Sequence, residues 1–312
     1  MYQMQAKKTF VALLNPYGTV KRVFPSVIDR AGEDGLYLGV KDAPQISSEF
    51  VKGLERAGAY VHTIDKKALG GRAVDQDLVN PLTLRPMTGS SSGTALNVLY
   101  HINDLGLGTD GGGSVLAPAA SLNLYSFIAP SLDREHMKAF RKDSTDGIGF
   151  TPSLGFIARD LDTLKRPLSL FFERKNVERK TVTVPESLDI YGERRPLIAF
   201  LREAVGKGEL VVSKEGPVDQ DGLGDSIFGH HDARTKEIQR HSGKGLMRVV
   251  NMAGLAAATV PSSELGVCYL LISSDDDDGY SAIIGEAERL APAADKLVES
   301  YFGNLDSYFD IY

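Results

Sequence analysis

The stretch Gly106-Leu107-Gly108-Thr109-Asp110-Gly111-Gly112-Gly113-Ser114 leaves a short apolar strand, passes through three consecutive glycines and ends on a serine. Consecutive glycines let a backbone turn tightly and aim successive N–H groups into one concavity. Such a nest can hold an oxyanion, and Ser114 stands where a nucleophile is wanted. A serine hydroxyl is a poor nucleophile alone and needs a base within hydrogen-bond reach. A second hydroxyl cluster, Gly89-Ser90-Ser91-Ser92-Gly93, opens the helix expected from Thr94 to Tyr100. His101, in the segment between the two clusters, has no triad pattern around it, which leaves lysine as the alternative base.

Blander readings compete. Serines at a helix start can cap free N–H groups. Gly106–Gly111 also matches G-x-G-x-x-G literally, but Asp110 would then face a pyrophosphate and Pro118 interrupts the segment that follows.

Outward from these clusters, strands and helices alternate, which predicts an α/β layered domain. Thr9–Leu14 and Thr19–Pro25 read as strands of a hairpin around Asn15-Pro16-Tyr17-Gly18. Leu36–Val40 reads as a buried strand ending at Lys41, followed by a helix over Ser47–Arg56 and strands at Tyr60–Ile64 and Asp104–Gly108. Arg159–Phe172 has helical spacing of Leu161, Leu164, Leu168 and Phe171. Later strands are expected at Leu188–Tyr191, Leu210–Ser213 and Val267–Ile272, and helices at Pro196–Ala204, Gly245–Ala253 and Ala282–Leu290, with a loop over Glu215–His230. No repeat or linker divides residues 1–312, so one domain is expected.

Composition narrows the function. A formal charge of −6 and no basic block longer than Lys66-Lys67 argue against nucleic acid as a partner. No segment approaches the ~20 apolar residues of a membrane helix, and Met1–Phe10 carries no signal-peptide core; a cytoplasmic protein is expected. The lone Cys268 lies in an apolar run and reads as a buried strand residue. His230-His231-Asp232 lacks zinc spacing and Asp275–Asp278 lacks the alternation of a calcium loop, so no metal is expected. The Asp275–Asp278 run suits the start of a helix.

Gly89-Ser90-Ser91-Ser92-Gly93-Thr94-Ala95, followed by Gly106 to Ser114, resembles the amidase signature family. The 24 residues from Ser90 to Ser114 match that family's separation of relay serine and nucleophile. Leu38-Gly39-Val40-Lys41-Asp42 resembles the strand delivering its catalytic lysine, and Val51–Ala59 the helix and turn after it. Asn80-Pro81 with Arg85-Pro86, Ser153–Asp162 and Asn251–Pro261 are similar to further family segments. The likeness covers most of residues 36–172 and 244–290.

The resemblance implies a single three-layer α/β/α domain around a large mixed β-sheet. It implies Ser114 as nucleophile, Ser90 as relay behind a cis Gly89–Ser90 bond, and Lys41 as base. Backbone amides of Gly111, Gly112, Gly113 and Ser114 would form the oxyanion hole, with Ser91, Thr109 and Asp110 supporting the geometry. The implied reaction is hydrolysis of a linear, non-peptide amide of a small molecule through an acyl-enzyme, without cofactor. Acyl transfer, ester hydrolysis, a glutaminase-type subunit or an inactive scaffold are the alternatives. The chain departs from the family in its short length, in the compressed region between Phe172 and Gly245, and in Leu116 where arginine is usual. A shortened pocket leaves room for a homodimer or partner subunit to complete it.

Overall fold

A computed structural model describes residues 3–309. Its frame is a ten-stranded mixed sheet ordered Val20–Val23, Ala59–Asp65, Leu36–Lys41, Leu105–Asp110, Ser153–Ala158, Tyr125–Ala129, Ala256–Pro261, Cys268–Ser273, Leu210–Glu215 and Thr181–Val182. The five central strands from Leu36–Lys41 to Ala256–Pro261 are buried at every position. Burial on both faces explains why they read as continuous apolar runs rather than alternating ones. One face packs on the helices Ser92–Leu99, Leu116–Ser121 and Arg194–Gly206. The other packs on Ser48–Arg56, Leu161–Leu168 and Asp277–Leu290 through Phe50, Leu54, Leu164, Ile283 and Ile284. The α/β, three-layer expectation is met.

Leu36–Lys41 and Leu105–Asp110 are parallel neighbours, with Gly39 opposite Gly106 and Val40 opposite Leu107. Their carboxyl ends therefore reach the same edge of the sheet, delivering Lys41 and Thr109-Asp110 side by side. Parallel strands open ligand crevices at such ends. Gly108 allows the serine-bearing turn to lie directly on the sheet: a Cβ there would stand 2.6 Å from Ser91 Oγ.

The amino-terminal hairpin is not formed. Gln3–Leu14 is a helix, ended by Asn15 in the left-handed region at φ 48°. The apolar run Thr9–Leu14 cannot by itself separate helix from strand, and the helix formers Gln3 to Lys8 ahead of it decide the outcome. Only Val20–Val23 of the second predicted strand pairs, with Asn15 Nδ2 donating to the Val20 carbonyl at 2.9 Å. Leu188–Tyr191 is a turn instead of a strand, because Asp189 Oδ1 accepts from the Tyr191 N–H at 2.9 Å. The helix predicted from Arg159 begins at Leu161, capped by Asp160, and stops at Leu168. Asp276 caps Asp277–Leu290 by accepting from the Gly279 N–H, so the acidic run starts a helix as expected. Among the described residues, no helix is long and apolar enough to cross a membrane.

Candidate active site

Lys41 is the last residue of its strand and is 3% exposed. Its Nζ lies 2.7 Å from Ser90 Oγ, 2.8 Å from Thr109 Oγ1 and 3.3 Å from the Thr109 carbonyl. An ammonium stripped of water is disfavoured, and burial lowers the Lys41 pKa from its ordinary 10.5 to about 7. Asp110 opposes that shift, while Lys67 and Lys142 reinforce it. The amine can thus be neutral near neutral pH while touching a serine hydroxyl.

Ser114 is half-buried and lines the same cleft, of about 540 Å³, as Lys41 and Ser90. Its main chain is tied to the serine cluster by the Ser91 N–H, which donates to the Ser114 carbonyl at 3.2 Å. Lys41 is thus bonded to Ser90, while the Ser114 and Ser90 hydroxyls are not hydrogen-bonded to each other.

Asp110 sets the shape of the glycine loop. Its buried carboxylate accepts from the N–H groups of Gly113 at 2.7 Å, Val115 at 2.7 Å and Leu116 at 3.3 Å. Desolvation raises its pKa, against these three donors and Lys41. The grip corrects the oxyanion expectation in one position. The Gly113 N–H is already committed to Asp110, leaving the amides of Gly111, Gly112 and Ser114 outside the carboxylate's hold. It also disposes of the dinucleotide reading, since a side-chain carboxylate occupies the amides a phosphate would require.

The three serines divide their work. Ser92 donates to the buried Asp75 carboxylate. Ser91 supplies only its backbone; its buried hydroxyl has no partner, so the expected side-chain support from Ser91 is absent. None of the hydroxyls caps the helix, which sets the capping alternative aside. Gly89–Ser90 is trans, and the cis peptide among the described residues is Gly216–Pro217. Gly89 instead turns the chain with φ 70°, a conformation glycine adopts freely.

Several contributors were illegible in the sequence. Lys67, Lys142 and Arg248 enter the cleft from three separate segments. Phe150 packs so closely on Gly111 that a Cβ there would stand 2.9 Å from its ring. Glu215 is buried behind the site and accepts from the Leu246 N–H at 2.6 Å and the Met247 N–H at 3.3 Å. Its carboxyl is pushed up to about 7 by burial. Lone basic and aromatic residues in loops carry no spacing signal; only the acid at the end of the strand Leu210–Glu215 broke an otherwise ordinary pattern. Cys268 is buried and its thiol pKa is pushed well up by desolvation, consistent with a structural residue. Among the described residues no three His, Cys, Asp or Glu side chains cluster as metal ligands would.

Residues 40–142 match the family model described as Amidase, a span containing Lys41, Ser90 and Ser114. Amidase 1 of Arabidopsis thaliana is 29% identical over 155 residues, which are 43% of this chain and 33% of that protein. The sequence match therefore spans only a third of that relative's length. A glutamyl-tRNA(Gln) amidotransferase subunit from Thermotoga maritima superposes with a TM-score of 0.64 at 15% identity, over 94% of this chain and 92% of that one. 6-Aminohexanoate cyclic dimer hydrolase complexed with substrate gives 0.58 at 13% identity, over 93% of each chain. At these identities the structural likeness speaks for the fold.

Proposed function

We propose that the chain is a member of the amidase signature family, as the match over residues 40–142 supports, and that it hydrolyses a small, linear, non-peptide amide through Lys41, Ser90 and Ser114. The observation that carries the reading is the buried Lys41 amine, held near a pKa of 7 and 2.7 Å from Ser90 Oγ, in the cleft that Ser114 lines.

Neutral Lys41 takes the Ser90 proton as Ser90 takes the Ser114 proton, and Ser114 Oγ attacks the amide carbonyl carbon. A rotation of the Ser114 side chain toward Ser90 completes the relay. The negative charge developing on the carbonyl oxygen is met by amides among Gly111, Gly112 and Ser114, in a loop that Asp110 has already ordered. Collapse breaks the C–N bond, and the proton held on Lys41 returns through Ser90 to the departing amine. Water, deprotonated along the same path, then attacks the acyl-enzyme and frees Ser114. The whole of residues 1–312 is read as one domain around this cleft.

A serine-directed fluorophosphonate tests the reading. Mass spectrometry should place the adduct on Ser114, and Lys41→Met should suppress labelling by at least about 100-fold. Ammonia release from small primary amides should accompany it. An intact, folded protein that neither labels at Ser114 nor releases ammonia from any small amide would refute the proposal.

A further inference from the structure

The cleft has a charge opposite to that of the molecule. The chain carries a formal −6, yet beside Lys41, whose amine the mechanism uses in its neutral form, Lys67, Arg72, Lys142, Arg194 and Arg248 line the cleft against two carboxylates, Asp143 and Asp225. Arg72 is paired with Asp225 at 2.8 Å and Arg194 with Asp146 at 2.8 Å. Lys67, Lys142 and Arg248 have no carboxylate within salt-bridge distance among the described residues, and Lys142 and Asp143 are both exposed.

Arg248 is built in rather than left over. Its Nε donates to the Gly245 carbonyl at 3.1 Å and one Nη to the carbonyls of Ile190 at 2.7 Å and Gly192 at 3.3 Å. Main-chain carbonyls fix the guanidinium, and none of these bonds uses Nη1; Glu215 and Asp189 are the nearby acids, and Asp189 is itself bonded to Arg240 at 2.7 Å. Arg248 also lines a second cavity, which shares Thr145, Arg194, Ser226 and Gln239 with the first. It thus stands at the junction of the two. Lys142 lies over the oxyanion loop, with its Cε 3.7 Å from where a Gly111 Cβ would be and its Nζ 5.6 Å from the Phe150 ring centroid.

Cations gathered around a cleft without matching acids are matched by a ligand's negative charge. We propose that the substrate is an amide bearing a carboxylate, which Arg248 receives at the junction while Lys67 and Lys142 supply the surrounding positive potential. The inference rests on the amidase reading of the site and names its substrate class.

The test compares two primary amides of equal chain length, glutaramate and pentanamide, by ammonia release. Glutaramate should be preferred in kcat/KM by at least about tenfold, the usual worth of a charge-assisted hydrogen bond. That ratio should shrink at high salt and in Lys142→Gln, Lys67→Gln and Arg248→Gln. The two lysine variants keep the test valid should the arginine variant misfold. Calorimetric titration of glutarate supplies a readout independent of turnover. Equal or better use of pentanamide, or a preference that none of the variants reduces, overturns the inference. If Ser114 does not label with the fluorophosphonate and no small amide is turned over, but glutarate binds and the variants weaken it, the anion site stands and the amidase reading fails. No glutarate binding, no labelling at Ser114 and no turnover of any small amide sinks both.

Discussion

The amine of Lys41 sits 2.7 Å from the hydroxyl of Ser90 although 49 residues separate them, because two parallel strands end together beneath the serine turn. Removing either partner should stop proton transfer without unmaking the sheet. Lys41→Met and Ser90→Ala should each lower kcat by roughly 10²–10⁴-fold, the range general base catalysis contributes. The double variant should be little worse than either single one, since groups acting as a unit are not additive. Multiplying losses in steady-state kinetics would show that they act separately.

The lowered pKa of Lys41 fixes a direction for activity and another for stability. Below about 7 the amine is protonated and cannot accept from Ser90, so kcat/KM should rise with pH through about 7 and level off above it. The unfolded chain holds that proton up to about 10.5 and the folded chain only to about 7. Between those values the unfolded state binds more protons, so the Lys41 contribution to stability is full above the upper value and lost as pH falls to the lower one. Lys41→Met should therefore raise Tm most at and below pH 7, with the gain fading toward pH 10.5. A Tm difference independent of pH over that window would contradict the burial of a titrating amine.

The central strands and the site's serines and lysine were legible because each leaves a pattern: continuous apolar runs, a glycine triplet, hydroxyls at a helix start. What failed did so for physical reasons. Thr9–Leu14 is largely apolar and carries β-branched Thr9 and Val11, and only the residues before it and the left-handed Asn15 declare a helix. The commitment of the Gly113 amide to Asp110 depends on how a loop closes on its own side chain, which no spacing encodes. Likewise Arg248 reaches the cleft from a 3₁₀ turn held by Glu215, about thirty residues earlier in the chain, a tertiary relation. The cationic lining of the cleft was hidden because the chain as a whole is acidic.

Asp110→Asn separates the ordering of the loop from the chemistry. An amide side chain keeps one acceptor oxygen but turns an NH₂ toward backbone N–H donors, so at least one of the short bonds to Gly113 and Val115 is lost. An unsatisfied buried donor costs about 1–3 kcal/mol. The expected outcome is a Tm several degrees lower and fluorophosphonate labelling of Ser114 slowed by about 10- to 100-fold, with the pH midpoint of activity also displaced downward. That displacement follows because Asp110 is the carboxylate that holds Lys41's pKa up. Unchanged labelling with a lowered Tm would confine Asp110 to a structural role.

Gly108 and Ser91 offer a test of the packing that brings the serine turn onto the sheet. A methyl group at position 108 would meet Ser91 Oγ at 2.6 Å, Val115 Cγ2 at 3.0 Å and Ser91 Cβ at 3.1 Å. Overpacking of this kind costs about 1–3 kcal/mol, and because Ser90 and Ser114 flank the contact, activity should fall with stability in Gly108→Ala. Ser91→Gly removes two of those three atoms, along with a buried hydroxyl that has no partner. Combined with Gly108→Ala, it should recover most of the lost Tm and kcat, giving a favourable coupling energy in a double-mutant cycle. The recovery distinguishes a steric contact from a backbone effect at residue 108: strain in the strand itself would persist whatever stood at position 91, and the two substitutions would then simply add.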